Sequence, residues 1–187
     1  MNAPPRPRAA LGHALFPTTF GPCALAWSAR GLVWFQLPES SEDKTQARLA
    51  TCVTSSAGAP PAWAREAIAQ ITRYFEGANE DLSTIAVDLD ELPPFHRKVY
   101  EAMRRICRGQ VFTYAELAAA AGSPQAFRAV GQAMARNPIP VVIPCHRVVA
   151  AGGKPGGFSA TGGLVTKARL LALEGASLSG RAVLAIR

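Results

Sequence analysis

The sequence predicts a mixed α/β protein in two lobes: a small N-terminal sheet with a helix, then a mostly helical C-terminal lobe with a helix-turn-helix. Three observations carry this expectation. Short apolar and aromatic runs, bounded by Gly and Pro, crowd the chain before Leu37. The step Leu92-Pro93-Pro94 breaks the pattern. Beyond it, apolar residues recur at helical spacing, and two helical segments adjoin through a Gly-containing turn. The expected lobes are residues 1–92 and 93–176, with a short tail at 177–187 that carries no site.

Composition narrows the function classes. The chain has 187 residues, 49% of them hydrophobic, so a sizeable core is affordable. Lys and Arg outnumber Asp and Glu by 20 to 13, and the net charge of +7 suits a polyanionic partner. Cys23, Cys52, Cys107 and Cys145 are scattered and lack CxxC pairing, which argues against a zinc ribbon or a disulfide framework. His13, Cys23, Cys52 and His96 would make a metal site only if folding gathered them, so no metal is expected. The start, Met1 to Ala10, is broken by Pro4, Pro5 and Pro7 and has no clean apolar signal core. No apolar stretch is long enough to span a bilayer. A reducing, cytoplasmic home and no membrane partner are expected.

In the N-terminal lobe, Cys23-Ala24-Leu25-Ala26-Trp27 and Leu32-Val33-Trp34-Phe35-Gln36-Leu37 flank Ser28 to Gly31 and read as a β-hairpin. Glu39 to Thr45 is polar and reads as loop, and Ser55 to Pro61 as a second break. Ala64, Ala67, Ile68, Ile71 and Phe75 follow helical spacing. Nothing in this half resembles a site.

After Pro94, the residues Phe95, Val99, Met103 and Ile106 line one helix face, which Gly109 is expected to end. Arg97, Lys98, Arg104, Arg105 and Arg108 ride on that helix. Thr113-Tyr114-Ala115-Glu116 has the form of a capping box. Gly122 reads as a left-handed terminator, Ser123 as the next N-cap, and Pro124 as the first residue of a helix reaching Arg136. At about 100° per residue, Phe127, Val130 and Met134 share one side of it. Gln125, Arg128, Ala129, Gln132 and Arg136 share the other. The apolar stripe should pack inward, which leaves arginines, glutamines and a small residue outward for a nucleic-acid backbone or groove.

Ile139-Pro140-Val141-Val142-Ile143 is a continuous apolar run and reads as a buried strand. Pro144 should end it, presenting Cys145 at a strand end beside His146 and Arg147. Imidazole and guanidinium neighbours favour thiolate over thiol, so Cys145 is the candidate nucleophile. Successive residues of an extended chain point opposite ways, so a water between His146 and the sulfur is the expected relay. Glu174 falls in the last turn of a helix carrying Leu170, Leu171 and Leu173. An acid there opposes the helix dipole, a mild cost that an exposed helix-end Glu can bear.

With Arg128-Ala-Val-Gly131, Asn137-Pro138 and Pro144-Cys-His-Arg-Val-Val149 in view, the chain resembles the O6-alkylguanine-DNA alkyltransferases, from roughly Pro93 to Gly175. The N-terminal half is similar to the family's variable lobe only through Thr19-Phe20-Gly21-Pro22 and the hairpin. The resemblance implies an RNase H-like fold for that half. It implies stoichiometric transfer of an alkyl group from O6-alkylguanine in double-stranded DNA to Cys145, by a monomer and without a cofactor. His146, Glu174 and Asn137 are implied as its catalytic partners. Arg128 is implied as the finger that replaces an extruded base, with Tyr114, Gln125, Ala126, Ala129, Gly131 and Gln132 at the DNA. Met134, Pro140, Val148, Phe158 and Ser159 are implied around the substrate.

Departures and rivals remain at this point. Gly152-Gly-Lys-Pro-Gly-Gly157 is not a phosphate loop, because Pro155 follows Lys154. Phe158 stands where many relatives have tyrosine, and Ala160-Thr161 lengthens the path to Gly162-Gly163. A non-reacting binder of damaged guanine would lack Cys145. A turnover thiol hydrolase would use Cys, His and Glu repeatedly. A transcription regulator would use the helix-turn-helix alone.

Overall fold

The computed structural model describes residues 8–55 and 58–176. The expected tail at 177–187 lies outside them. The chain divides into two compact units, Met1–Leu89 and Asp90–Arg187. Among the described residues there are six α-helices and three small sheets. None of these helices is long and apolar enough to cross a membrane.

In the first unit, β2 (Gly12–Phe16), β3 (Cys23–Trp27) and β4 (Leu32–Gln36) form an antiparallel sheet. The expected hairpin is its β3–β4 pair, in which Leu25 faces Phe35. Every residue of β3 is buried because it is the central strand. The segment read as polar loop instead opens α1 (Glu42–Cys52). Ser41 caps it by accepting from the Lys44 N–H at 3.3 Å, and Glu42 and Asp43 favour the positive helix start. Leu49 and Cys52 then pack with Ala24, Ala26 and Val33 of the sheet. β5 (Val53–Thr54) pairs in parallel with β1 (Arg8–Ala9). Ala62–Phe75 forms α2, burying Ala64, Ala67, Ile71 and Phe75 of the expected stripe.

The second unit begins with α3 (Pro94–Arg104), with Pro94 where its missing N–H costs nothing. The helix stops at Arg104, short of Gly109, which takes φ +78° in a later turn. Val99 and Met103 are wholly buried, each contributing on the order of 2 kcal/mol of apolar burial. Tyr100 donates its hydroxyl to the Ala133 carbonyl at 2.8 Å. β6 (Phe112–Thr113) runs directly into α4 (Tyr114–Ala120). Thr113 and Glu116 make the reciprocal capping box, and Gly122 takes φ +74° after the helix.

The next helix starts later than its caps suggest. The Ala126 N–H bonds the Ser123 carbonyl at 2.9 Å, so Pro124 and Gln125 form a tight turn. Consequently α5 spans Phe127–Ala135. Val130 and Met134 are buried, but Phe127 is 47% exposed, not inward as its spacing suggests. As the first residue of the helix, it projects beyond the packed turns.

Ile139–Ile143 is no strand. The Ile143 N–H reaches back to the Ile139 carbonyl at 2.8 Å, closing a compact turn in which Val141 takes φ +74°. Pro138, Pro140 and Pro144 cannot donate to a ladder, so the run is buried without sheet partners. A β-branched residue at positive φ costs about 1–3 kcal/mol. Asn137 offsets that strain by accepting from the Ile139 N–H at 3.0 Å and donating to the Ile143 carbonyl at 2.8 Å. Cys145–Arg147 then form one turn of 3₁₀ helix, and β7 (Val148–Val149) pairs in parallel with β6. The closing helix, α6, spans Gly163–Leu173.

Candidate active site

The β6–β7 pair sets the site. Phe112 pairs with Val148 and Thr113 with Val149, so α4 starts with Tyr114 beside the turn that carries Cys145. Between them lies a cavity of about 220 Å³. Cys145 reaches it, along with Tyr114 of α4 and Gly131, Met134 and Ala135 of α5. Gly157, Phe158 and Ser159 close it from the Gly-rich segment. Met134, Phe158 and Ser159, the residues expected around the substrate, all line this cavity. Pro140 and Val148 do not line the cavity. Pro140 is buried within its proline-rich turn, and Val148 lies in β7 with no exposed surface.

Tyr114 is held in place by the opposite wall, since its hydroxyl accepts from the Gly157 N–H at 3.2 Å. Gly156 lies so close to that ring, at φ +68°, that a Cβ there would sit 3.0 Å from the Tyr114 hydroxyl. The Gly-rich segment is therefore a fitted wall against Tyr114.

His146 and Arg147 both direct polar atoms to the Glu174 carboxylate. The 3₁₀ turn fans successive side chains apart. His146 has no exposed surface, and its Nε2 lies 2.9 Å from Glu174 Oε1. Arg147 grips the same carboxylate, from Nε to Oε2 at 2.9 Å and from Nη2 to Oε1 at 2.8 Å. Its Nη1 donates to the Ile106 carbonyl. Glu174, the C-terminal cap of α6, accepts from both neighbours with its side chain fully buried.

Burial alone would raise the Glu174 carboxyl, but the hydrogen bonds and charges of His146 and Arg147 hold it well below the usual carboxylate range. Burial pushes the imidazole the other way, below its ordinary value, with Arg147 and Lys167 adding to the effect against the pull of Glu174. The consistent state is an ionised Glu174 neutralised by Arg147, beside a neutral His146. A neutral ring that donates Nε2–H to Glu174 keeps an acceptor lone pair on Nδ1. That Nδ1 is buried and has no hydrogen-bond partner among the described residues.

Burial raises the Cys145 thiol above its ordinary value. Three influences oppose this: a hydrogen bond from the Asn137 side chain, the positive charge of Lys167, and the backbone N–H groups of Cys145 and His146. The cation favouring the thiolate is therefore Lys167, not Arg147.

Lys167 is the residue that the sequence reading missed. It lies on α6 with no exposed surface. Its Nζ donates to the carbonyls of Val148 at 2.5 Å, Pro155 at 2.5 Å and Gly157 at 3.3 Å. One ammonium thus ties the strand after the cysteine turn to the cavity wall. Burial lowers it to about 8, with the Cys145 charge pulling upward. The available signal was its spacing, three residues before Leu170 on the stripe that packs inward.

The expected DNA-facing residues divide by exposure. Gln125, Arg128 and Gln132 are exposed, while Ala126, Ala129 and Gly131 are half-buried. Elsewhere, His13 bonds the Ser55 hydroxyl at 2.8 Å, and Cys23 is fully buried in β3. Among the described residues no group of three or more His, Cys, Asp or Glu could hold a metal ion. The four cysteines are free thiols.

A family model described as 6-O-methylguanine DNA methyltransferase, DNA binding domain, matches residues 94–176. The chain is 35% identical over 170 residues to a methylated-DNA–protein-cysteine methyltransferase of Methanosarcina acetivorans, covering 87% of this chain and 97% of that one. It is 38% identical over 128 residues to the protein of the same name from Methanothermobacter thermautotrophicus, covering 68% and 70%. Its fold is similar to a crystal structure of Mycobacterium tuberculosis OGT in complex with DNA. That likeness has a TM-score of 0.69 at 31% identity and covers 88% of this chain and 93% of that one.

Proposed function

This chain belongs to the methylated-DNA–protein-cysteine methyltransferase family, and on that premise we propose that it repairs DNA by moving the alkyl group of O6-alkylguanine onto Cys145. The observation that carries this reading is a single nucleophile, Cys145, on the wall of a base-sized cavity beside a neutral, Glu174-bonded imidazole.

The chemistry balances without a cofactor. The thiol proton passes to His146 Nδ1, by way of a water, and the thiolate attacks the O6 alkyl carbon. The S–C bond forms as the C–O6 bond breaks, and its electron pair leaves on the purine. Protonation of the purine then releases guanine. Tyr114 and Ser159, on opposite sides of the cavity, are suited to donate to the base as that charge develops. Asn137 stabilises the thiolate by its hydrogen bond to the sulfur. A thioether resists hydrolysis, so each molecule reacts once.

The O6 substituent is out of reach inside a base stack, so the nucleotide must be extruded at a cost of a few kcal/mol. α4, the turn after it and α5 serve as a helix-turn-helix in this reading. Arg128, exposed near the start of α5, fills the vacated space, where a planar cation can both stack and donate. Gln125, Ala126, Ala129, Gly131 and Gln132 complete a surface for the minor groove, where sequence readout is poor and any guanine can be served. The protein acts as a monomer on double-stranded DNA in the cytoplasm, with the first unit as an RNase H-like lobe.

The test is intact mass after incubation with an O6-methylguanine duplex. One added CH2 on the Cys145 peptide, absent in Cys145→Ala, is expected. Unmodified protein, or product formed repeatedly beyond one equivalent, would refute the reading.

A further inference from the structure

Phe127 breaks the inward pattern of its own helix, and its register says where it leads. At about 100° per residue, Phe127, Gly131 and Met134 lie on one stripe, within roughly 60° of each other. Gly131 and Met134 line the Cys145 cavity, and Phe127 stands on the same stripe at the first position of α5, one turn before Gly131 and two before Met134. Gly131 interposes no side chain between the ring and Met134. The Tyr114 ring flanks the same spot, 3.7 Å from where a Gly131 Cβ would be.

A lone exposed apolar residue ordinarily calls for no explanation. Here the surroundings identify an occupant. Phe127 is the one aromatic among the exposed large hydrophobics of the described residues. Beside it in the chain Gln125 and Arg128 are exposed, Gln132 and Arg136 are exposed on the other side of α5, and no acidic residue occurs between Ser123 and Asn137. An acid-free helix start with an exposed aromatic next to Arg128 suits a polyanion that offers flat apolar surfaces. Duplex DNA with one base extruded is such a partner, because extrusion uncovers the face of the neighbouring base.

Resting on the alkyl-transfer reading above, we propose that Phe127 is a specificity-determining residue for duplex substrate, packing its ring on the base stacked next to the extruded one. Apolar wedges in minor-groove proteins act this way, and base–aromatic stacking is worth about 1–3 kcal/mol. Arg128 then fills the vacated position while Phe127 caps the adjacent face. The ring adds no charge, so it strengthens binding without adding a phosphate contact.

The experiment compares wild type, Phe127→Ala and Phe127→Trp on an O6-methylguanine duplex and on free O6-methylguanine base. Phe127→Ala should weaken duplex affinity and slow single-turnover transfer by roughly tenfold or more. The free-base rate should stay within about twofold, and Phe127→Trp should retain duplex activity. The slope of log affinity against log salt should be unchanged, since counterion release tracks phosphate contacts only. Wild-type duplex affinity in Phe127→Ala, equal losses on both substrates, or an altered salt slope would overturn the proposal. A wild-type protein that transfers no alkyl group to Cys145 would refute the alkyl-transfer reading instead, while the affinity comparison would still judge the ring.

Discussion

Arg147 and Glu174 form a two-pronged buried ion pair, with Nε on one carboxylate oxygen at 2.9 Å and Nη2 on the other at 2.8 Å. The pair leaves His146 free to be neutral. A carboxylate balanced only by His146 would hold the imidazole protonated and remove its capacity as a base.

Arg147→Met tests that division of labour. It strands a buried carboxylate, so unfolding stability should fall by about 3–5 kcal/mol. The His146 pKa should rise, since Arg147 is one of the charges that lowers it. Urea unfolding and NMR titration of the imidazole read the two effects. An unmoved imidazole would contradict the role given to Arg147.

Glu174→Gln tests the same cluster through pH. The folded carboxyl lies below its unfolded value of about 4.3. Its contribution to stability is therefore present above that pH and is lost as pH falls toward the folded value. Wild type should lose stability across this acid window more steeply than Glu174→Gln. Parallel stability–pH curves below pH 4.3 would contradict the assignment.

Lys167→Met removes the cation that favours the Cys145 thiolate. Iodoacetamide labelling of the Cys145 peptide should shift to higher pH, because Lys167 lowers the thiol. For Lys167 itself the pH dependence has the same sign as for Glu174, because its folded value also lies below the unfolded one. With a folded value of about 8, below an unfolded value of about 10.4, its contribution rises with pH between the two. That contribution should vanish in the variant.

Asn137→Ala should loosen the turn that strains Val141. Two backbone groups lose their partner, for about 1–3 kcal/mol of stability, and the sulfur loses a donor. Asn137→Asp keeps the acceptor for the Ile139 N–H but not the donor. It should recover part of the stability in thermal unfolding without recovering the alkyl-transfer rate.

Arg128→Ala separates extrusion from chemistry. Transfer from duplex should fall by on the order of tenfold or more, while free base reacts nearly as in wild type. Equal losses would place Arg128 in the chemistry instead.

Local grammar was legible in the sequence. The Thr113–Glu116 box, the Gly122 stop and the hairpin strands are set by neighbours a few residues apart, and they occur as read. The Glu174–His146 contact was legible only through the family resemblance, since a helix-end acid does not by itself name its partner. Misreadings arose where local signals competed. Ser123-Pro124 suits a turn as well as a helix start, and Ile139–Ile143 has strand composition but prolines that deny it a ladder.

By itself, then, the sequence determined the caps, the breaks, the basic helix face and the candidate nucleophile Cys145, all properties of residues near one another in the chain. Tertiary structure decided which charges face the sulfur. Arg147, adjacent in sequence but one, is drawn off by Glu174 across 27 positions, while Lys167 comes to Cys145 from α6. A buried charge goes where its partners lie in space, because desolvation outweighs nearness along the chain.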